Sequence, residues 1–291
     1  MPPASAEVKQ AEQALAAGQL ARAEAALQRA LTAASCDARA WFDFAELAEL
    51  RQQHSAAEQR YRRALRCAPR FPEAHNNLGL RLRARDRLRA AKTHFEAALQ
   101  AWPNYPEAQL NLGLTWRDLG DGARARTAMA RAIRLLPKDA EAHIIYAELL
   151  LESAQRQQAR AVLKQAERHI EDDLPLLYQL GKALRRTGDG TAAAQALQQA
   201  ITLAGPKAPP ALHAEHVLAV WATGERVRAI DLAGALSQAH PNYATAHLLL
   251  GKMHAAQGAK SDARRHLKRC VALAPQSPEA QHATALLQQL R

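Results

Sequence analysis

Small apolar residues recur along this chain with a fixed period, and larger apolar residues follow them at helical spacing. Alanine occupies one position of a 34-residue frame, with a single step of 36, at Ala23, Ala57, Ala91, Ala125, Ala159, Ala193, Ala229 and Ala263. Four residues later a larger apolar side chain stands at Leu27, Tyr61, Phe95, Met129, Leu163, Leu197 and Leu267, with Ala233 as the exception. Because residues i and i+4 share one face of an α-helix, the pattern predicts an amphipathic helix in every period.

A second helix is predicted ahead of the first one in each period. Twelve residues before the framing alanine a small residue stands at Ala11, Ala45, Gly79, Gly113, Ala147, Gly181 and Gly251, broken only by Val217. A minimal side chain there lets two antiparallel helices approach closely. Five periods close on Pro69, Pro103, Pro137, Pro241 and Pro275, where the missing N–H ends one helix before the next begins.

These positions resemble the tetratricopeptide repeat family, whose pattern is W-x2-L-G-x2-Y, then A-x3-F, then P. The resemblance covers nearly the whole chain and implies an all-α, right-handed superhelical solenoid of the kind found in bacterial multi-repeat arrays. We expect a single domain over 1–291 with about eight units, at approximately 4–37, 38–71, 72–105, 106–139, 140–173, 174–207, 210–243 and 244–277. The remaining segment, 278–291, is expected to form a capping helix.

Two units depart most from the family pattern. The first has Gln10 where a buried Leu is usual. The seventh departs at four framework positions, namely His216, Val217, Ala233 and Leu236. It follows the Pro-rich segment 204–211, which contains the two-residue insertion and is interpreted either as a bend in the superhelix or as an insertion in an exposed turn.

Cysteine usage and the first residues bear on the compartment. Cys36, Cys67 and Cys270 have no metal-ligand spacing, and their odd number argues against a disulfide framework. The N-terminal sequence lacks the positive and apolar regions of a signal peptide, and no apolar run is long enough to cross a membrane. These features predict a soluble protein of the reducing cytoplasm without membrane insertion.

In the tetratricopeptide family the first helix of each pair lines the concave side, where peptides bind. The resemblance therefore implies a groove formed by Phe42, Asn76, Asn77, Leu80, Arg83, Leu110, Asn111, Leu114, Arg117, Ile145, Tyr178, Lys182, Arg185 and Trp221. Asn77 and Asn111, one repeat apart, are similar to rungs of the asparagine ladder of the O-GlcNAc transferase superhelix, which bonds a peptide backbone. The alternative is that both are solvated residues of ordinary repeat sequence. The carboxylate clamp of chaperone-binding relatives is absent.

Charge is distributed unevenly along a chain of formal charge +11. Residues 51–100 carry 12 basic and 4 acidic side chains, and the run 81–89 places five arginines around one turn. Such a cluster fits an acidic peptide, a phosphate or nucleic acid, but a solvated Arg-rich turn is the simpler interpretation. The run contains no aromatic residue on which a base would stack, so nucleic acid is disfavoured.

Histidines and carboxylates offer further candidates. His75, His143, His213 and His247 share one frame position, so they are predicted to belong to the repeat and not to converge on one metal ion. His213 and His216 have a spacing that suits two ligands, but no third ligand motif follows. The segment 171–173 is acidic and precedes a helix with an early proline, which indicates helix capping.

The sequence contains no nucleophile elbow, phosphate loop, dinucleotide fingerprint or zinc-protease motif. It therefore predicts a protein that is not an enzyme, has no cofactor, and acts as a scaffold holding a protein or peptide ligand in its groove. The alternative is a substrate-recruiting module of a sulfotransferase, glycosyltransferase or hydroxylase, because similar Ala- and Arg-rich arrays accompany such domains. Binding of nucleic acid or an acidic polymer ranks third.

Overall fold

The computed structural model describes residues 5–290 and shows an all-α protein. Within this range the chain forms seventeen α-helices, one 3-10 turn at Gly205–Lys207 and no β-strand. The helices belong to two compact units that divide between Pro137 and Lys138. None of the helices in the described range is long and apolar enough to cross a membrane. The predicted all-α fold class is confirmed.

Consecutive helices pair within the predicted periods, from α1 with α2 to α15 with α16. The first unit contains α1 (Ala6–Ala16), α2 (Leu20–Ala33), α3 (Ala38–Leu50), α4 (His54–Cys67), α5 (Pro72–Ala84), α6 (Leu88–Ala101), α7 (Pro106–Asp118) and α8 (Gly122–Leu135). The second contains α9 (Ala140–Glu152), α10 (Arg156–Glu167), α11 (Leu174–Thr187), α12 (Gly190–Ala204), α13 (Pro210–Thr223), α14 (Arg226–Ala239), α15 (Ala244–Ala256), α16 (Lys260–Leu273) and α17 (Pro278–Gln289). The last helix lies in the segment expected to cap the array, whereas the single domain over 1–291 stays a prediction.

The core of each pair is built from residues of complementary size. All eight framing alanines are fully buried, and the larger side chains that follow them are at most 2% exposed. A Cβ added to Gly79 would lie 2.6 Å from the Phe95 ring, and one added to Gly181 would lie 2.4 Å from Leu197. A larger residue does not fit at this position of the first helix, because the large side chain of the second helix already occupies the space that a Cβ would need.

The seventh pair has the same two positions with their sizes reversed. Val217 of α13 replaces the small residue, and Ala233 of α14 replaces the large one. Both are buried in the same apolar cluster, at 1% and 0% exposure. The divergence noted in the sequence is thus a volume-conserving exchange, which a close-packed core tolerates.

This exchange predicts energetic coupling between the two positions. Ala233→Leu alone should lower the free energy of unfolding by roughly 1–3 kcal/mol, because it overpacks the site against Val217. Val217→Ala in the same chain should recover much of that loss, which a double-mutant cycle in urea would measure as a coupling energy. Val220→Ala, which trims another buried valine of α13, is the matched control. Additive effects of Ala233→Leu and Val217→Ala would contradict the size-exchange account.

The turn inside each helix pair adopts a left-handed backbone at one frame position. Glycine fills that position in five pairs, at Gly18, Gly120, Gly188, Gly224 and Gly258, all with positive φ. Gln52, Asp86 and Ala154 occupy it in the other three, with φ of 61°, 58° and 59°. Because left-handed backbone costs a residue with a Cβ about 1–2 kcal/mol, the surrounding helix packing imposes the turn even where glycine is missing.

The acidic segment before α11 caps that helix as predicted. The Asp173 side chain accepts a hydrogen bond of 2.9 Å from the backbone N–H of Leu176, and Pro175 lies in the first turn. The inserted segment before α13 forms the 3-10 turn, after which α13 begins at Pro210. In both segments a proline stands in the first turn of a helix, where a backbone N–H would have no acceptor within the helix.

The odd number of cysteines argued against a disulfide framework, but the structure contains a disulfide. Cys36, in the turn after α2, and Cys67, at the end of α4, form a disulfide, and the buried Cys270 is free. The two partners are 31 residues apart, close to one period, so the repeat brings them to the same edge of neighbouring pairs. A disulfide favours an oxidising compartment, which removes the cysteine argument for the cytoplasm and leaves that location a prediction.

Reduction should destabilise the first unit selectively. For a closed loop of this length, Cys36→Ser/Cys67→Ser should lower the free energy of unfolding by about 3–4 kcal/mol. Thermal melting with and without a dithiol reductant measures the effect, since the wild type should respond and the double variant should not. Equal melting of the oxidised and reduced wild type would show that the bond contributes no stability.

Candidate functional site: the face of the first helices

The first helices of neighbouring pairs pack side by side within each unit. In the first unit α1 lies against α3 and α5 against α7, and in the second α11 lies between α9 and α13. Most predicted groove residues keep part of their surface free on this face, namely Asn77, Leu80, Arg83, Leu110, Leu114, Arg117, Ile145, Tyr178, Lys182, Arg185 and Trp221. Phe42, Asn76 and Asn111 are buried, at 4%, 4% and 9% exposure, so in this structure they support the face from beneath.

The asparagines form a hydrogen-bonded chain with one another. Asn111 Nδ2 donates to Asn76 Oδ1 at 2.9 Å, and Asn76 Nδ2 donates to Asn77 Oδ1 at 3.2 Å. Asn77 Nδ2 then donates to the Tyr61 hydroxyl at 3.3 Å. These hydrogen bonds link α7, α5 and α4. Asn77 and Asn111, which the sequence suggested as contacts for a peptide backbone, therefore bond to neighbouring helices in this structure.

The chain of amides ends in a depression of about 210 Å³ lined by Glu49, Tyr61, Asn77, Leu80 and Arg81. Leu80 and Arg81 also line a wider depression of about 460 Å³ that reaches Arg83 and Asp118. Glu49 Oε2 lies 3.1 Å from Arg81, whereas Glu49 Oε1 is buried and has no hydrogen-bond partner among residues 5–290. Burial raises the pKa of Tyr61, so its hydroxyl keeps a proton to donate.

The arginines of the turn at 81–89 are mostly paired with carboxylates of neighbouring repeats. Glu58 of α4 is 3% exposed and lies 2.6 Å from Arg85 and 3.8 Å from Arg87. Arg83 donates through Nε and Nη2 to Asp118 Oδ2 at 2.8 and 2.7 Å. The structure therefore uses most of this run to join repeats, which differs from the solvated turn that was the simpler interpretation of the sequence.

The face in the second unit combines aromatic rings with cations. The Lys182 ammonium lies 5.2 Å from the centre of the Tyr178 ring, and Arg226 lies 4.9 Å from that of Trp221. Arg185 forms an ion pair of 3.0 Å with Glu215 of the next first helix. Lys182 is exposed, and the rings of Tyr178 and Trp221 are half-buried, so this surface presents flat apolar area beside positive charge.

Histidines do not gather into a metal centre of three or more ligands within the described residues. Burial, followed by the charge of His75, lowers the pKa of His94 to about 4. Burial, followed by the charge of His247, likewise lowers the pKa of His266 to about 4. These rings are therefore neutral near pH 7.

Asp43 occupies in α3 the frame position of Asn77 and Asn111, and it is 1% exposed. Its Oδ1 lies 3.0 Å from Arg39 Nε, but both carboxylate oxygens lack an aligned hydrogen-bond partner in the described part of the chain. Burial raises the pKa of Asp43 to about 7, against the charge of Arg39 and with support from Glu12. The ionised carboxylate is thus a cost to folding.

The first unit should therefore lose stability between about pH 4 and pH 7, as a buried carboxyl with a raised pKa ionises. Below the unfolded-state pKa the carboxyl is neutral in both the folded and the unfolded chain, so ionisation costs the fold nothing. As the pH rises towards the folded-state pKa of about 7, the carboxyl ionises in the unfolded chain but stays neutral in the fold, and the free energy of unfolding falls. Asp43→Asn should be more stable than the wild type by about 2–4 kcal/mol at pH 8, and the difference should shrink at pH 4. Urea unfolding with hydrogen exchange of the α3 amides measures this, with the exposed Asp231→Asn as control. A difference that does not depend on pH would contradict the assignment.

Sequence reasoning missed two of the residues that form the depression. Glu49 was not singled out, and Tyr61 was assigned only to the core because it lies on a second helix. The sequence did contain an indication of this role for Tyr61. It is the only side chain with a hydroxyl group among the large residues that follow the framing alanines. A buried phenol needs a partner for its polar end, and the nearest face of the neighbouring first helix supplies one.

Tandem pairs of antiparallel helices with a half-exposed first-helix face define a helical-repeat scaffold for protein interactions. The family model for tetratricopeptide repeats matches residues 8–72, 76–140 and 215–278, and two further models of the same repeat match 117–184 and 174–206. The chain belongs to the tetratricopeptide repeat family, and the matched models describe no catalytic domain.

Solved structures share this fold at low sequence identity. PilF of Pseudomonas aeruginosa has a TM-score of 0.61 and 22% identity, over 68% of this chain and 90% of PilF. PilW, a type IV pilus biogenesis factor, has a TM-score of 0.59 and 22% identity, over 67% of this chain and 91% of PilW. YrrB, described as having an unusual peptide-binding site, has a TM-score of 0.53 and 21% identity, over 68% of this chain and 97% of YrrB. No curated protein matches the sequence.

Proposed function

We propose that this protein binds an extended segment of a partner protein along the face of its first helices, and that the depression at Glu49 and Tyr61 anchors it. The observation that carries the proposal is a buried carboxylate oxygen without a partner among residues 5–290, in the same depression as a phenol whose oxygen accepts a hydrogen bond from Asn77. Buried hydrogen-bonding groups are normally satisfied, and an unsatisfied one costs about 1–3 kcal/mol. A ligand that supplies both a donor and an acceptor removes this cost.

A peptide group is such a ligand. Rotation of the Glu49 carboxylate would bring Oε1 to the surface of the depression, where the peptide N–H would donate to it. The peptide carbonyl would accept the Tyr61 hydroxyl proton. Leu80, shared by the two depressions, would contact the side chain of the bound segment. Because the helices are preformed, the protein side pays little ordering entropy on binding.

The other half-exposed residues extend the proposed contact surface in each unit. Leu110, Leu114 and Arg117 continue it in the first unit, while Ile145, Tyr178, Lys182, Arg185 and Trp221 form it in the second. The aromatic and cationic side chains of the second unit suit a segment with apolar and acidic residues. The similarity to YrrB, described as a tetratricopeptide repeat protein with an unusual peptide-binding site, supports a peptide ligand.

Removal of one hydroxyl should weaken binding while the buried ring keeps its apolar contacts, and the half-exposed Asn77 amide can then donate to water in its place. Tyr61→Phe keeps the buried ring and deletes the donor, so peptides selected on the wild type from a random display library should bind about 5-fold to 100-fold more weakly, as measured by fluorescence anisotropy. Leu80→Glu should have a similar effect, because it places a charge where an apolar contact is proposed.

Tyr105→Phe is the matched control, since Tyr105 is a buried tyrosine of the same unit that stacks on Trp102 away from the depression. It should bind the selected peptides as the wild type does. Equal affinity of wild type and Tyr61→Phe for every selected peptide would refute the proposed anchor, and failure of the library to yield any ligand would count against peptide binding itself.

A further inference from the structure

Two helix pairs contain the same contact between two imidazole rings. His75 of α5 and His94 of α6 have their Nδ1 atoms 3.0 Å apart, and His247 of α15 and His266 of α16 have theirs 3.2 Å apart. All four rings are half-buried, so water and small ions can reach them. The second pair lies in a different unit from the first but at the same two frame positions.

The first histidine of each pair has its tautomer fixed by the backbone. His75 Nε2 lies 3.0 Å from the Pro69 carbonyl oxygen, and His247 Nε2 lies 3.3 Å from that of Pro241. A carbonyl can only accept, so Nε2 carries the hydrogen and Nδ1 has a free lone pair directed at the partner ring. Metal-bound histidines typically donate their other N–H to a carbonyl in this way.

We propose that each pair is a two-histidine site for a divalent transition metal ion of the zinc, nickel and copper group. The ion takes the place of the proton between the two Nδ1 atoms, and the second ring moves its hydrogen to Nε2. Each neutral ring keeps one N–H, so binding of the ion releases no proton. Imidazole is a preferred ligand of these ions.

The separation of the nitrogens suits such an ion. Two nitrogens bound to Zn²⁺ at about 2.0–2.1 Å in tetrahedral geometry lie about 3.3 Å apart. The observed separations of 3.0 and 3.2 Å are close to that value. Each ring would turn by roughly 35° to direct its lone pair from the other nitrogen to a shared ion. The remaining coordination positions are left to water or to a group from outside the chain.

The chain itself provides matched comparisons for both sites. His143 and His213 occupy the frame position of His75 and His247, but Val162 and Leu232 stand where His94 and His266 would be. These pairs fold with an apolar residue in place of the second imidazole. His94→Val and His266→Leu therefore remove one ligand from each site by substitutions that the same repeat already accommodates.

Isothermal titration of the metal-free full chain with Zn²⁺ and Ni²⁺ at about pH 7.5, where imidazole is mostly neutral, tests the proposal. His94→Val and His266→Leu should each remove one bound equivalent, and the double variant should remove both. His143→Ala should leave both equivalents in place, since that histidine has no second imidazole beside it. Circular dichroism checks that each variant remains helical.

Wild-type protein allows a test that needs no variant. In NMR spectra, substoichiometric Ni²⁺ should broaden the imidazole signals of His75, His94, His247 and His266 before those of histidines distant from both sites. His254, whose ring centre lies 5.7 Å from that of His266, should broaden with the second site. Unchanged stoichiometry in the double variant would overturn the proposal. So would earlier broadening at His213 and His216, or no binding of either ion by the wild type.

Discussion

The contact between a small residue on the first helix and a large residue on the second is the constraint on which the rest of this structure depends. At Gly79 and Phe95 the ring occupies the space of a missing side chain, and no Cβ fits without displacing it. Because the contact recurs in seven of the eight pairs, and with its sizes exchanged at Val217 and Ala233 in the remaining one, it sets the distance between paired helices and the rotation of each helix about its axis. That rotation decides which residues of the first helix face a neighbouring repeat and which keep an exposed surface.

Polar side chains at the repeat boundaries follow from the same geometry. Glu58 and Asp43 are both buried acids, but Glu58 lies among several guanidinium groups while Asp43 has one poorly aligned arginine. Burial of a carboxylate is tolerated when hydrogen-bonded cations surround it and is costly when they do not. The basic character of residues 51–100 is therefore partly explained by the acids of adjacent helices, and the arginines of this region act mainly within the fold.

The helices, their pairing and nearly all of the core could be predicted from the sequence, because a period of 34 residues constrains many positions at once. Cys36 and Cys67 could not be paired by counting, since their proximity depends on how one repeat is placed on the next. The left-handed turn position was visible in the glycines but was obscured by Gln52, Asp86 and Ala154. The roles of Asn76, Asn77 and Asn111 depend on side-chain directions that a one-dimensional pattern does not contain.

A binding face in such an array arises where repeat-to-repeat packing leaves hydrogen-bonding capacity unused. Asn111 donates a hydrogen bond to Asn76, and Asn76 donates one to Asn77. Asn77 then donates to the oxygen of the Tyr61 hydroxyl, which leaves the hydroxyl proton free to be donated. Glu49 similarly uses one oxygen for Arg81 and leaves the other without a partner. The amide chain thus holds the phenol in place while its donor remains available beside an unused acceptor. Under the proposed function, positioning and recognition would be performed by different atoms of the same residues, and the buried members of the predicted groove would affect binding without touching the ligand.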